Sequence, residues 1–131
     1  MLLYGENLIV VLNSVHIPLK DAILSLNESN LLETVDITDH WYVKNFGKKP
    51  QIILAGLNPH AGENGILGNE EIEILKPVVL KATECGIKIS GPYPADTVFF
   101  KNQNNDSNEP DKIIVALYHD QGLIPFKLNG L

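Results

Sequence analysis

Three short apolar runs, each followed within a few residues by a histidine, constrain the fold of this chain more than any other feature. The runs are Leu8–Leu12, Gln51–Ala55 and Ile113–Leu117, and the histidines are His16, His60 and His119. The runs are apolar almost throughout, which is typical of strands that are covered on both faces in a parallel sheet. The sequence therefore predicts an α/β fold, in which a mostly parallel sheet is the middle layer of a three-layer α/β/α arrangement.

Helical patterns separate the predicted strands, as this architecture requires. Apolar residues at helical spacing predict one helix from Pro18 to Leu26 and another from Leu31 to Phe46, and Gly47 is placed to end the second helix. A third helix is predicted from Glu70 to Glu84, with a kink or a break at Pro77. Strands that alternate with helices in this way favour parallel pairing.

Shorter features are predicted between residue 85 and the last apolar run. Cys85 is expected to be a buried residue on the face of the third helix. Ile87–Ile89 indicates a short strand, and the following turn-rich residues include Asp96, which is placed to cap a short helical turn. The Asn-rich segment Lys101–Asp111 is typical of a surface excursion.

The stretch from Ala55 to Gly68, AGLNPHAGENGILG, is the first candidate for a functional site. It connects a predicted strand to the acidic start of a predicted helix, and loops at strand ends often carry chemistry on a rigid scaffold. Its glycines allow the backbone to bend and to approach a ligand closely. His60 lies in the middle of this stretch.

The three histidines are candidate metal ligands. Ligands bind beyond the carboxyl ends of the strands in open α/β sheets, so His16, His60 and His119 are expected at one edge. Neutral imidazoles suit zinc and related divalent metals, and three protein ligands with an open position describe a catalytic site. Asp120 is a candidate further ligand or orienting partner. The alternative is that these are ordinary surface or turn histidines, because their spacing matches no local metal motif.

Lys127 is a second candidate for chemistry. It is placed to balance a phosphate charge or to act as an acid–base group, although its spacing alone favours a solvated lysine. The sequence contains no P-loop, no serine nucleophile elbow and no GxGxxG fingerprint.

The charge balance argues against one class of function. The net charge is -6 and the pI is near 5.1, which is opposite to the basic footprint of a nucleic-acid-binding protein. An anionic substrate remains compatible, because local cations and backbone N–H groups can outweigh a global charge. No apolar run approaches the roughly 18 residues of a membrane span, and no basic segment typical of a signal peptide is present. The single cysteine excludes an intrachain disulfide and favours a reducing compartment, the cytoplasm.

Four segments of the chain resemble one enzyme family. GLNPHAGENGILGNEE, SGPYPADTVFF and ALYHDQGLIPFK are similar to signature segments of the 4-hydroxythreonine-4-phosphate dehydrogenases, the PdxA family of vitamin B6 biosynthesis. VLNSVHIPLKDAI resembles the segment that carries the family's first metal-binding histidine. The resemblance covers nearly the whole chain and implies a fold like that of the isocitrate and isopropylmalate dehydrogenases.

The resemblance also implies a reaction and a site. The family oxidises 4-phosphohydroxy-L-threonine with NAD or NADP to a β-keto acid, which loses CO2 to give 3-amino-2-oxopropyl phosphate for pyridoxal phosphate. Its divalent metal (zinc, magnesium, manganese or cobalt) is held by three histidines that correspond to His16, His60 and His119, and is shared between the subunits of a homodimer. The family's substrate-contacting lysine corresponds to Lys127. Asp120, in the same HDQG segment, is a candidate catalytic residue, and no cofactor-binding residue is assigned.

Family chains are longer at both ends. The resemblance therefore implies that residues 1–131 form a single partial domain, the central metal-binding and dimer-forming portion of a longer chain. Two alternatives to the dehydrogenase remain at this point. One is a noncatalytic metal-binding dimer module, and the other is a dehydrogenase that acts on a related phosphorylated sugar acid, such as a threonate or erythronate phosphate.

Overall fold

A five-stranded sheet forms the centre of the computed structural model, which describes residues 1–130. The strands are β1 (Leu2–Tyr4), β2 (Ile9–Leu12), β3 (Gln51–Ala55), β4 (Ile89–Tyr93) and β5 (Lys112–Ala116). They lie in the order β1-β2-β5-β3-β4, and every neighbouring pair is parallel except β1 and β2, which are antiparallel. The predicted, mostly parallel sheet is confirmed. Strand β1 was not predicted.

Helices connect the strands in the expected alternation. They are α1 (Leu19–Ser25), α2 (Glu28–Phe46), α3 (Lys76–Glu84), α4 (Ala95–Lys101) and α5 (His119–Pro125). A short 3-10 turn spans Pro59–Gly65, and π-helical segments span Glu71–Leu75 and Phe126–Gly130. None of the helices within residues 1–130 has the length and apolar character that crossing a bilayer requires.

Helix α2 has well-defined ends. The Asn27 side chain accepts a hydrogen bond of 2.8 Å from the Asn30 N–H, and the Asn30 side chain bonds back to the Asn27 N–H. This reciprocal capping box starts the helix earlier than the predicted Leu31. Gly47, in the left-handed conformation with φ of 70°, ends it as predicted.

Strand β4 lies later in the chain than predicted, because it is an edge strand that tolerates turn-forming residues. It covers Ile89–Tyr93 rather than Ile87–Ile89, and it includes Gly91 and Pro92. Proline is accepted at a sheet edge, where no N–H is needed for pairing. A Cβ atom at Gly91 would lie 2.6 Å from the Leu54 carbonyl oxygen, so only glycine lets β4 run this close to β3.

Three smaller expectations have different outcomes. At Pro77 the helix changes type without a break: a π-helical segment ends at Leu75, α3 begins at Lys76, and both residues keep helical backbone angles. Asp96 does not cap α4: Pro94 occupies the cap position, and Asp96 lies in the first turn. Cys85 is exposed rather than buried, because it follows the last residue of α3.

Alternate residues of the strands pack into two separate hydrophobic clusters, one on each face of the sheet. The first cluster includes Leu31, Val35 and Tyr42 of α2 and Val78 and Ala82 of α3. The second includes Val98 and Phe99 of α4, together with Phe126, and Leu123 of α5 packs against it. Because helices cover both faces, the predicted three-layer α/β/α arrangement is confirmed.

Candidate active site and metal centre

The carboxyl ends of β2, β5 and β3 lie at the same edge of the sheet. The three strands are parallel, and β5 lies between the other two. The segment with His16 follows β2, His119 follows the central strand β5, and the segment with His60 follows β3. The expectation that three histidine-bearing segments leave one edge therefore holds for the backbone.

His16 and His119 form a close pair within the chain. Their ring centroids are 5.3 Å apart, and the ring planes are tilted by 43°. The pair lines an open cleft of about 290 Å³, together with Val15, Ile17, Leu19, Tyr118 and Asp120. Both rings are therefore accessible to an ion or a substrate that enters from solvent.

Local hydrogen bonds fix the two turns that carry this pair. The Ser14 hydroxyl donates to the Leu117 carbonyl oxygen at 2.8 Å, which joins the turn after β2 to the turn after β5. His119 is the first residue of α5, and a Cβ atom at Gly122 would lie 2.5 Å from the Leu12 side chain. Glycine at this position lets α5 rest directly on β2, which brings His119 towards His16.

Asp120 contacts His119 directly. Its Oδ1 atom lies 2.8 Å from His119 Nδ1. A carboxylate in this position favours the tautomer with the proton on Nδ1 and leaves Nε2 free as a ligand atom. This geometry fits the orienting role of Asp120, whereas its role as a catalytic residue stays a prediction.

His60 lies on a turn of unusual handedness. The turn Pro59–Gly65, here called the His60 turn, has positive φ angles at its five central residues, from 47° to 82°. His60 itself has φ of 53° and is exposed. The cleft around His16 and His119 does not include it among its lining residues. The fold therefore brings two of the three predicted ligands together and presents the third separately.

A buried carboxylate organises the backbone that leads into the His60 turn. Glu71, in the π-helical segment, is only 1% exposed. Its Oε2 atom accepts hydrogen bonds from the N–H groups of Leu57 at 2.7 Å and Asn58 at 2.8 Å, and its Oε1 atom accepts from Asn58 Nδ2 at 2.9 Å. Asn58 Nδ2 also donates to Glu70 at 2.7 Å, which lowers the pKa of the Glu70 carboxyl.

The glycines of the Ala55–Gly68 stretch bend the backbone as predicted, with φ of 82° at Gly62, 96° at Gly65 and 128° at Gly68. A Cβ atom at Gly62 would lie 2.7 Å from Glu71 Oε1, and one at Gly68 would lie 2.4 Å from Asn58 Nδ2. These two glycines therefore also make room for the chain's own side chains, and their close approach to a ligand stays a prediction.

Gln121 connects the two sides of the site. Its Oε1 atom accepts from the Leu117 N–H at 2.7 Å, and its Nε2 atom donates to the Gly56 carbonyl oxygen at 2.8 Å. The buried amide thus joins the end of β5 to the residue after β3.

Neither Glu71 nor Gln121 was predicted as a site residue. For Glu71 a signal was present: it lies at helical spacing from the buried residues Leu75, Val78 and Ala82, so it belongs to the core-facing side. Its apolar neighbour Ile72 is, by contrast, 44% exposed.

Lys127 is exposed on the π-helical segment that follows α5, and it does not line the cleft around His16 and His119. Within residues 1–130 of one chain, no three His, Cys, Asp or Glu side chains lie close enough to hold a metal ion. The histidine pair nevertheless suits one: two imidazoles on a tetrahedral metal, with bonds of about 2.0–2.1 Å, have ring centres roughly 5 Å apart. The chain therefore brings together two of the three predicted metal ligands, His16 and His119, and this pair is here called the half-site.

Several known dehydrogenases are similar to this chain in sequence or fold. Residues 1–131 match the family model described as pyridoxal phosphate biosynthetic protein PdxA. The chain is 46% identical over 129 residues to 4-hydroxythreonine-4-phosphate dehydrogenase of Desulforapulum autotrophicum, covering 98% of this chain and 37% of the relative. It is 40% identical over 130 residues to D-threonate 4-phosphate dehydrogenase of Salmonella typhimurium, covering 99% of this chain and 38% of the relative.

A solved structure gives the same result. The crystal structure of 4-hydroxythreonine-4-phosphate dehydrogenase from Klebsiella pneumoniae matches with a TM-score of 0.87 at 39% identity. The match covers 97% of this chain and 37% of that one. The chain therefore spans about 37% to 38% of the length of these curated relatives.

Proposed function

Because the chain belongs to the PdxA family, we propose that it forms the metal-binding and dimer-forming portion of a 4-hydroxythreonine-4-phosphate dehydrogenase. In the proposed reaction, hydride passes from the hydroxyl-bearing carbon of the substrate to NAD or NADP, and the hydroxyl proton is lost. The resulting β-keto acid releases CO2 and leaves 3-amino-2-oxopropyl phosphate, a precursor of pyridoxal phosphate. The observation that carries this proposal is the pair of His16 and His119 at the carboxyl edge of the sheet, 5.3 Å apart.

The proposed metal site is completed by a second copy of the chain. His16 and His119 of one subunit hold the ion, and the third ligand, His60, comes from the partner. Support comes from the separation of His60 from the pair and from exposed apolar residues beside both halves. Ile17 and Leu19 flank the pair and are 45% and 54% exposed, and Ile66, next to the His60 turn, is 78% exposed. A two-fold dimer would bury these residues and build two equivalent sites.

Each polar group of the half-site has a proposed task. A divalent ion such as zinc would supply Lewis-acid polarisation of the substrate's hydroxyl and keto oxygens. Asp120 holds the tautomer and the orientation of His119, and the open cleft admits the substrate beside the pair. Lys127 is proposed to bind the phosphate group or to relay a proton, together with segments of the longer family chain.

The compartment and the redox partner follow from the same proposal. NAD or NADP is the hydride acceptor. No residue within 1–131 is assigned to its binding. The exposed, unpaired Cys85 suits the reducing cytoplasm, where a biosynthetic dehydrogenase would work.

A second candidate substrate is a phosphorylated sugar acid. The 40% identity to the D-threonate 4-phosphate dehydrogenase of Salmonella typhimurium favours it. NADH formation by the full-length protein, measured by absorbance with 4-hydroxythreonine-4-phosphate and with D-threonate 4-phosphate in parallel, separates the two substrates.

Zinc titration tests the metal site itself. The metal-free chain is expected to bind about one zinc ion per subunit as a dimer, and His60→Ala is expected to weaken zinc binding by about a hundredfold or more with little effect on folding. His40→Ala is the matched control, because His40 is exposed on α2 and its side chain bonds to Asp36 of the same helix. Unchanged zinc stoichiometry in His60→Ala would contradict the proposed site.

A further inference from the structure

Glu71 has a role that neither the fold nor the proposed ligands explain. We propose that it is a positioning residue, whose buried carboxylate anchors the backbone leading into the His60 turn and thereby sets the direction of the His60 imidazole. What His60 binds rests on the function proposed above. The anchoring of the turn does not depend on that function and is tested separately.

Within residues 1–130, the side-chain hydrogen bonds of Glu71 all go to the two residues that precede Pro59. Its two oxygens accept from the N–H groups of Leu57 and Asn58 and from the Asn58 side chain, at 2.7 to 2.9 Å. These donors lie between the end of β3 and Pro59, where the His60 turn begins. The carboxylate therefore fixes the two peptide units that precede the turn.

Burying an ionised carboxylate costs free energy of folding unless a cation or hydrogen-bond donors stabilise its charge. Glu71 is 1% exposed, and no Lys, Arg or His side chain within residues 1–130 forms an ion pair with it. An ionised carboxylate without a cation is tolerated in the interior only when N–H donors replace its hydration. A leucine would fill the same core position without this cost, so packing alone does not account for a glutamate here.

The turn needs such an anchor, because its conformation is intrinsically unfavourable. His60, Ala61, Glu63 and Asn64 have φ angles between 47° and 59°, although none of them is glycine. Left-handed backbone is disfavoured for residues with a Cβ atom, and a run of them persists only where the surroundings impose it. Gly62, between them, is the residue that leaves space for Glu71 Oε1.

The test compares Glu71→Gln with Glu73→Gln. Glutamine keeps the size of the side chain and one acceptor oxygen but removes the charge, and Glu73 is an exposed residue of the same π-helical segment. In Glu71→Gln we expect hydrogen exchange of the Leu57 and Asn58 amides to accelerate by about tenfold. We also expect the His60 imidazole resonance to shift in NMR spectra, while the resonance of His40 does not.

Zinc affinity provides the functional readout of the same variants. Because partners that orient a metal ligand typically contribute tenfold to a hundredfold to affinity, Glu71→Gln is expected to weaken zinc binding by about tenfold, and Glu73→Gln to leave it unchanged. If Glu71 had only a packing role, the Glu71→Gln substitution would lower the melting temperature without shifting the His60 resonance. Glu71→Asp, which keeps the charge, replaces Glu71→Gln if that variant does not fold.

Two results would overturn the role of Glu71. One is a folded Glu71→Gln variant whose amide exchange and His60 resonance match those of the unmodified chain. The other is a Glu73→Gln variant that changes the amide exchange and the His60 resonance as much as Glu71→Gln does. If the unmodified chain binds no zinc, the proposed function fails, and the amide exchange and the His60 resonance still decide the role of Glu71.

Discussion

The two halves of the candidate site are built in different ways. The pair formed by His16 and His119 depends on two adjacent parallel strands, a short tie from Ser14 to Leu117, and a helix that starts at His119. The His60 turn lies beyond the neighbouring strand β3, and it combines left-handed backbone with a buried carboxylate from a distant segment. One half follows from strand order, whereas the other requires a dedicated support.

This difference is what the proposed site, shared between two subunits at one sheet edge, requires. The pair converges within the chain because β2 and β5 are neighbours, roughly 5 Å apart. His60 is held in an exposed position by left-handed backbone, which is energetically unfavourable. Such a position is expected if the other proposed metal ligands lie on another subunit. Substitutions in one half, or in the connection between the halves, test whether the other half responds.

Gly62→Ala is expected to have the largest effect, and it acts on the His60 turn. The new Cβ atom would lie 2.7 Å from Glu71 Oε1 and 3.0 Å from the Gly68 carbonyl oxygen, at a residue with φ of 82°. We expect the free energy of unfolding to fall by about 3–4 kcal/mol, measured by urea denaturation.

Gly47→Ala is the matched control for that variant. Gly47 has φ of 70°, but nothing lies within 4 Å of its added Cβ atom, so only the backbone penalty of about 1 kcal/mol applies. Equal losses of stability in the two variants would show that Glu71 does not constrain the turn.

Gln121→Ala is expected to affect both halves together. The variant leaves the Leu117 N–H and the Gly56 carbonyl oxygen without their buried partner, which costs about 2–3 kcal/mol of folding stability. We expect NMR to show faster hydrogen exchange of the Leu117 amide and of amides in the His60 turn. A change confined to one half would mean that Gln121 does not connect them.

Ser14→Ala is expected to act on the histidine pair alone. Loss of the 2.8 Å hydrogen bond to the Leu117 carbonyl oxygen should reduce folding stability by about 1 kcal/mol. In NMR spectra, the His16 and His119 resonances should shift and the His60 resonance should not. A shift of all three would indicate that the halves are less independent than the structure suggests.

Glu70→Gln is expected to have the smallest effect, and the effect appears only with pH. The Asn58 side chain lowers the pKa of Glu70 from its ordinary value of 4.5, so the contribution of Glu70 to stability is present above that pH and is lost as the pH falls through the folded-state pKa. At neutral pH the variant should lose no more than about 0.5 kcal/mol, because the group is partly solvated. Urea denaturation below pH 4.5 should give converging stabilities, and a constant difference would contradict this linkage.

The sheet could be predicted from the sequence because its strands are buried on both faces. Continuous apolar runs located β2, β3 and β5 to within about a residue. Strand β4 was misplaced because Gly91 and Pro92 signal a turn locally, and their acceptability in a strand depends on the edge position of β4 and its contact with Leu54. Strand β1 is short and pairs antiparallel at the other edge, and its sequence gives no comparable signal.

The histidines and the orienting role of Asp120 could be predicted, but the contacts that Glu71 and Gln121 make could not. His16 and His119 follow adjacent parallel strands, so their proximity follows from topology once the strand order is known. The left-handed His60 turn depends on Glu71, whose side chain bonds to residues 13 and 14 positions earlier in the sequence, and local propensity contains no information about such a contact. The binding of one metal by three histidines stays a prediction, because His60 does not line the cleft of the pair within one chain.

A mixing experiment tests the central claim, the shared metal site, most directly. The two parents are His60→Ala and the double variant His16→Ala with His119→Ala, neither of which can assemble a complete site as a homodimer. If the site is shared, subunit exchange between them should restore about a quarter of the zinc sites, since half of the dimers are mixed and each has one intact site. Zinc binding that stays at the level of the separate parents, although mass spectrometry detects mixed dimers, would contradict the shared site.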